Sequence, residues 1–265
     1  MKKITPHVIR AMKGVEKIAV LTAYDAQMAH FLEEAEIPVI LVGDSVGTTQ
    51  LGYSSTIPVT MEDMISHTAS VVRGCKTPLV VADLPFMSYQ ISTEQALRNS
   101  ARLIQEGGCD AVKLEGGAIR ADVVRALTEN GIPVCAHIGL TPQSVKAIGL
   151  RVQGRGEEAA RRLREDAKAL EAAGAFAIVL EGIPAPLAKE ITAELTIPTI
   201  GIGAGVHCDG QVLVISDVLG LGGVYRPKFA KQYADVGAAI AEAARTYKAE
   251  VTGGVFPDDA HSYLE

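Results

Sequence analysis

The chain has no tryptophan, little aromatic character (5%) and only four cysteines in 265 residues, and each scarcity excludes something. Cys75, Cys109, Cys135 and Cys208 lie far apart, with no CxxC and no Cys/His pairing. That excludes a disulfide scaffold and a cysteine-ligated zinc site, and it reads as reduced, buried thiols. There is no excess of positive charge either: 25 Lys and Arg against 31 Asp and Glu give a net charge of -6. Without a positive field to release counterions, nucleic-acid binding is not expected. No apolar run approaches the roughly 20 residues that cross a bilayer, and the lysines near the start, in MKKITPHVIRAMKG, precede no apolar signal core. The expectation is a cytoplasmic protein with no membrane partner.

What is abundant is aliphatic residue, with 48% of the chain hydrophobic. A chain of this length buries about three-quarters of its unfolded surface and can close as one unit. Eight short apolar runs recur: KIAVLTAYD, IPVILVGDS, TPLVVADLPF, CDAVKLEGG, IPVCAHIGL, AFAIVLEGI, IPTIGIGAG and QVLVISDVLG. Their near-continuous Val, Ile and Leu suit strands covered on both faces, as in a parallel sheet. Between most of them lie segments of helical spacing, at Ala26–Ala35, Met61–Arg73, Thr93–Glu106, Ile119–Asn130, Glu157–Ala173 and Pro186–Leu195. Repeated βα units follow, and eight strands favour a closed (β/α)8 TIM barrel over an open sheet. Gly74, Gly107, Gly131 and Gly174 are predicted to end helices in the left-handed conformation, and Ile-Pro dipeptides start strands two, five and seven. The domain reading is one barrel over residues 1–265. It ends in a helix at Ala238–Glu250 and a tail at 251–265 that is loose or docked on a neighbouring subunit.

In a barrel the active site lies where strands end, so the last residues of each run are the informative ones. They are Asp44 and Ser45 for strand two, Asp83 for strand three, Lys113 and Glu115 for strand four, and His137 for strand five. Glu181 ends strand six and Asp217 strand eight. Lys113 and Glu115, at i and i+2, share a face. A single Asp at such a junction often only caps a helix, but several acids directly after buried runs need partners or a metal. Two Asp and a Glu without a His or Cys pair suit a hard cation, magnesium first, with manganese or cobalt able to substitute. Such a cation would stabilise the enolate of a small 2-oxo acid, with Glu181 as the base. Lys113 admits two roles, a fixed cation or a Schiff-base amine, and neighbouring Glu115 favours the first. His137 either contacts substrate or orients a carboxylate. His7, His30, His67, His207 and His261 are read as structural or surface residues. TIGIGAG, from Thr199 to Gly205, is only superficially like a phosphate loop.

Seven blocks, in order, resemble the ketopantoate hydroxymethyltransferase family. They are VGDSVGTTQLGYSSTIPVT from Val42, ADLPF from Ala82, AVKLEGG from Ala111, HIGLTPQS from His137, TIGIGAG from Thr199, CDGQVLV from Cys208 and PKF from Pro227. The resemblance implies a magnesium-dependent barrel of the phosphoenolpyruvate/2-oxo acid type. It also implies transfer of a hydroxymethyl group from 5,10-methylenetetrahydrofolate to 3-methyl-2-oxobutanoate through a metal-stabilised enolate, giving 2-dehydropantoate for pantothenate and coenzyme A. By the same resemblance the metal ligands are Asp44, Asp83 and Glu115, and substrate is bound by Asp44, Ser45, Asp83 and Lys113. Glu181 is the proton acceptor, His137 is a further active-site residue, and the assembly is a cytoplasmic homodecamer. Three departures fall near the site: Thr48 in GDSVGT, Ala136 in VCAH and Gly182 in LEGIP, where the family commonly reads GDSLGM, VCGH and LECVP. Two other classes compete. A lyase or mutase of the phosphoenolpyruvate-mutase and isocitrate-lyase type lacks support, since its KKCGH-like loop is absent, and a non-catalytic barrel would leave the acidic strand ends unexplained.

Overall fold

A computed structural model of the chain describes residues 2–222 and 227–263. Met1, Gly223–Arg226, and Leu264 and Glu265 of the tail lie outside the described residues. The chain forms two compact units, Met1–Val214 and Ile215–Glu265.

In the first unit eight parallel strands close in sequence order. They are β1 (Ile18–Thr22), β2 (Val39–Val42), β3 (Leu79–Asp83), β4 (Ala111–Glu115), β5 (Val134–Gly139), β6 (Ala177–Glu181), β7 (Thr199–Ile202) and β8 (Gly210–Leu213). β8 pairs with β1, from Ile18 opposite Gly210 to Leu21 opposite Leu213. The Ile-Pro turns set register as well as direction. Carbonyls of Pro38, Pro133 and Pro198 accept amides from the beginnings of neighbouring strands, Leu79 (2.9 Å), Val112 (3.0 Å) and Ile178 (3.0 Å). Proline, which cannot donate, thereby still contributes to the ladder.

The helices of this unit are α1 (Pro6–Ala11), α2 (Ala26–Glu34), α3 (Val46–Thr49), α4 (Met61–Gly74), α5 (Thr93–Gln105), α6 (Ala121–Glu129), α7 (Val145–Ile148), α8 (Glu157–Ala172) and α9 (Ala185–Glu194). Side-chain caps start several of them: Asp25 accepts from Met28 N, Ser92 from Gln95 N, and Thr60 forms a reciprocal box with Asp63. β7 and β8 are joined by residues 203–209 without a helix. Gly131 and Gly174 do take positive φ, but Gly74 and Gly107 do not. Gly74 is the last residue of α4, and a Cβ there would collide with the backbone of Ala26, so this glycine permits helix–helix approach rather than a left-handed cap.

Alternation along each strand sends one set of side chains inward. Val20, Val39, Val81, Cys135, Val179 and Val212 form a single buried cluster inside the barrel, joined by Ile9 of α1. The same inward faces turn polar one step higher: Val81 is followed by Asp83, Cys135 by His137 and Val179 by Glu181.

The second unit contains α10 (Ile215–Leu219) and α11 (Val236–Thr252). Asp217 therefore does not end a strand. β8 stops at Leu213, and Asp217 lies in the first turn of α10, where a carboxylate complements the helix N-terminus. Phe256 packs edge-on to Tyr247 with ring centroids 5.7 Å apart, and Asp258 caps the 3-10 turn Asp259–His261.

Candidate active site

The strand ends of the first unit converge as the sequence reading expects. Asp83 and Lys113 are register partners on β3 and β4, and Glu115 is opposite His137 on β5. Asp44 follows β2 by two residues, and its backbone amide donates to Asp83 Oδ2 at 3.1 Å. Lys113 Nζ lies 3.0 Å from Asp83 Oδ1 and 3.3 Å from His137 Nδ1. His137 Nε2 lies 3.3 Å from Glu181 Oε2, and its Nδ1 lies 3.7 Å from Glu115 Oε1. Asp44, Asp83, Lys113, Glu115 and His137 are buried, and Glu181 is half-buried. Ser45 is half-buried and shares a 2.8 Å hydrogen bond with the Tyr24 hydroxyl.

This arrangement carries more negative charge than positive. Four carboxylates, those of Asp44, Asp83, Glu115 and Glu181, face one ammonium. Burial, then repulsion from Asp83, pushes the Asp44 carboxyl up to about 7. Burial, then the charge of Asp44, raises Glu115 well above the ordinary carboxylate range. For Lys113 burial alone would lower the pKa, but Asp83, Glu115 and Asp44 outweigh it and hold the ammonium charged. The fixed-cation role fits this and the Schiff-base role does not, since a nucleophilic amine must lose its proton. His137 moves the other way: burial first, and Lys113 second, lower its pKa, against the pull of Glu181. A neutral imidazole beside an ammonium presents the lone pair of Nδ1 to it, which puts its proton on Nε2, toward Glu181.

Among the described residues no group of three or more His, Cys, Asp or Glu side chains is arranged as a ready-made metal site. The donor set nonetheless fits a hard divalent cation. Asp44, Asp83 and Glu115 offer only oxygen, and the upward pKa shifts of Asp44 and Glu115 mark positive charge in short supply. Asp83 Oδ1, although close to Lys113, has no aligned hydrogen-bond partner, and neither has His137 Nε2.

Three neighbours escaped the sequence reading. Gln143 joins Asp44 to Glu115: its Nε2 donates to Asp44 Oδ2 at 2.9 Å, and its backbone amide donates to Glu115 Oε2 at 3.1 Å. Tyr89 donates to Gln143 Oε1 at 2.8 Å and accepts from Glu115 N at 3.1 Å. Tyr24 orients Ser45. It stands just past strand one, where inspection of strand ends, extended to KIAVLTAYD, finds it. Of the other histidines, His67 has a structural partner, with Nδ1 2.7 Å from Tyr24 O. The departures from the family pattern adjoin this cluster of contacts. Thr48 is exposed and donates to Ser45 O at 3.1 Å. Ala136 alternates with the inward Cys135 and His137, and Gly182 has φ 55°, where a Cβ would press on Leu140.

Residues 3–259 match the family model described as ketopantoate hydroxymethyltransferase. A 3-methyl-2-oxobutanoate hydroxymethyltransferase of Syntrophus aciditrophicus (strain SB) is 56% identical over 265 residues, covering 99% of this chain and 97% of the relative. One from Streptomyces coelicolor is 55% identical over 262 residues, covering 98% and 90%. Among solved structures, 2,3-dimethylmalate lyase, a PEP mutase/isocitrate lyase superfamily member, superposes with TM-score 0.61 at 16% identity, covering 100% of this chain and 93% of the other. Phosphonopyruvate hydrolase superposes with TM-score 0.63 at 13% identity, covering 100% and 92%. These two likenesses show the barrel fold. No helix among the described residues is long and apolar enough to cross a membrane.

Proposed function

The chain belongs to the ketopantoate hydroxymethyltransferase family, and from that premise we propose that it transfers a hydroxymethyl group from 5,10-methylenetetrahydrofolate to 3-methyl-2-oxobutanoate, giving 2-dehydropantoate for pantothenate and coenzyme A synthesis. The observation that carries the reading is the buried excess of strand-end carboxylates around one ammonium, with Glu181 beside a neutral His137. Asp44, Asp83 and Glu115 would hold magnesium, which manganese or cobalt could replace; when bound, it supplies Lewis acidity toward the oxygens of a 2-oxo acid.

The chain's own residues account for the rest. Lys113, kept charged by its acidic neighbours, offsets the charge that develops on the substrate oxygen as C3 loses its proton. Glu181 accepts that proton on a carboxylate oxygen, with His137 Nε2 lying 3.3 Å from its Oε2. Ser45, aligned by the Tyr24 hydroxyl, and Asp44 bind the substrate from the β2 side. The electron pair left at C3 forms the new bond to the methylene carbon of the folate, whose bonds to N5 and N10 both break; water supplies the hydroxyl oxygen, and the protons from C3 and from water end on N5 and N10 of the departing tetrahydrofolate.

The proposal extends to a homodecamer in the cytoplasm. That extension rests on the family resemblance; α11, none of whose residues is buried and whose Ile240, Tyr247 and Val251 are exposed, offers apolar surface for a contact between subunits. Incubation of the protein with 3-methyl-2-oxobutanoate, 5,10-methylenetetrahydrofolate and magnesium should form 2-dehydropantoate and tetrahydrofolate in equal amounts. Turnover that persists without folate, or cleavage of the keto acid instead, would overturn the assignment.

A further inference from the structure

Gln143 touches two of the proposed cation ligands without being one. It lies in the 3-10 turn Pro142–Ser144 after β5 and is 3% exposed, so its amide must find partners within the protein. It finds them on three segments. Nε2 donates to Asp44 Oδ2 and to Leu84 O, each at 2.9 Å. Oε1 accepts from the Tyr89 hydroxyl at 2.8 Å and from Gln90 Nε2 at 3.3 Å. The backbone amide reaches Glu115 Oε2 at 3.1 Å. Chemistry fixes the orientation of the side chain: a carboxylate and a carbonyl only accept, so the nitrogen must face them. Tyr89 is tied to the same network, since its hydroxyl accepts from Glu115 N and lies 3.1 Å from Glu115 O.

Resting on the cation reading above, we propose that Gln143 is a positioning residue that sets the rotamers and separation of Asp44 and Glu115, and through them the affinity for a divalent cation. A carboxylate pinned through one oxygen presents the other in a fixed direction and loses less freedom when it ligates. A neutral amide suits the task. It binds the carboxylate without cancelling the charge that a cation needs, whereas a lysine or arginine at this position would compete for it.

The test is Mn2+ binding to the full chain, followed by electron paramagnetic resonance, for the unaltered protein, Gln143→Met and Tyr89→Phe. Methionine keeps the length and bulk of the side chain and removes its donors. We expect Gln143→Met to weaken Mn2+ affinity roughly 10–100-fold, the range for residues that orient metal ligands. Its lost turnover should return as Mn2+ is raised, under conditions where the metal-free variant is folded. Tyr89→Phe should shift affinity less, in the same direction, and carries the test alone if Gln143→Met does not fold. Unaltered Mn2+ affinity in the variants, or turnover that stays low at saturating Mn2+, would overturn the role of Gln143 and leave the cation reading standing. Absence of Mn2+ binding by the unaltered protein would overturn both.

Discussion

Asp209, just ahead of β8, and Asp44, just beyond β2, are aspartates buried at opposite ends of one barrel, and their surroundings treat them in opposite ways. Asp209 meets Lys13 Nζ at 2.8 Å, Thr199 N at 2.9 Å and the Thr199 hydroxyl at 3.2 Å. Burial would raise its pKa, but Lys13 and the Thr199 bonds outweigh that and lower it. Lys13 is anchored in turn to Thr192 O at 3.0 Å. At the mouth, Asp44 sits among Asp83, Glu115 and Glu181 with one ammonium to share, and its pKa is pushed upward. The base is charge-matched and serves the fold. The mouth keeps unbalanced charge that only a ligand can relieve, which is how a functional site departs from the stability rules obeyed elsewhere.

Substitutions at the two ends should separate these roles, and the largest effect is expected at the mouth. Glu181→Gln should lower kcat by roughly 10²–10⁴-fold, the range for a positioned general base. Its melting temperature should match that of the unaltered protein; a variant that retains kcat would remove Glu181 from the reaction. At the base, Asp209→Ala should cost about 3 kcal/mol in denaturant unfolding, because Lys13 is left without its buried partner. Its kcat should hold under conditions where it is folded, and a loss of rate without loss of stability would break the contrast.

Acid should then sort the ends by sign. A carboxyl raised by folding, as in Asp44, stabilises fully below its unfolded value of 3.8, and that contribution is lost as pH rises through about 7. A lowered carboxyl, as in Asp209, stabilises above 3.8, and the contribution is lost as pH falls through its folded value. Without divalent cations, Asp209→Asn should therefore lose its deficit relative to the parent as pH falls below about 4. Asp44→Asn should gain stability relative to the parent as pH rises from about 4 to about 7, and magnesium should erase that gain by stabilising only the parent. Melting curves at several pH values check both signs. The smallest effect lies with the buried thiols. Cys109 and Cys135, pushed up to about 12 by burial, and Cys75, pushed up to about 11, should ignore a thiol reagent until the chain is unfolded.

The mouth was more legible in the sequence than the base, for a physical reason. Asp83, Lys113, Glu115, His137 and Glu181 each interrupt an apolar run on the face that alternation sends inward, so strand-end reading finds them one by one. Lys13 and Asp209 are 196 residues apart, and nothing local joins them. Gln143 is hidden for the same reason, its contact with Asp44 spanning 99 residues. Asp217 misled because VLVIS continues the apolar run past the true end of β8, and spacing there does not distinguish a last strand residue from a first helical turn. Gly74 shows the same limit: a glycine at a helix end is visible in sequence, but whether it serves φ or a close approach depends on α2, packed against it.

The most direct test of the account is loss of the C3 proton of 3-methyl-2-oxobutanoate in deuterium oxide, followed by proton NMR with magnesium, with chelator, after borohydride treatment and in Glu181→Gln. The account predicts exchange that requires magnesium, survives borohydride and disappears in Glu181→Gln. Exchange that resists chelator, with substrate trapped on Lys113 by borohydride, would contradict it.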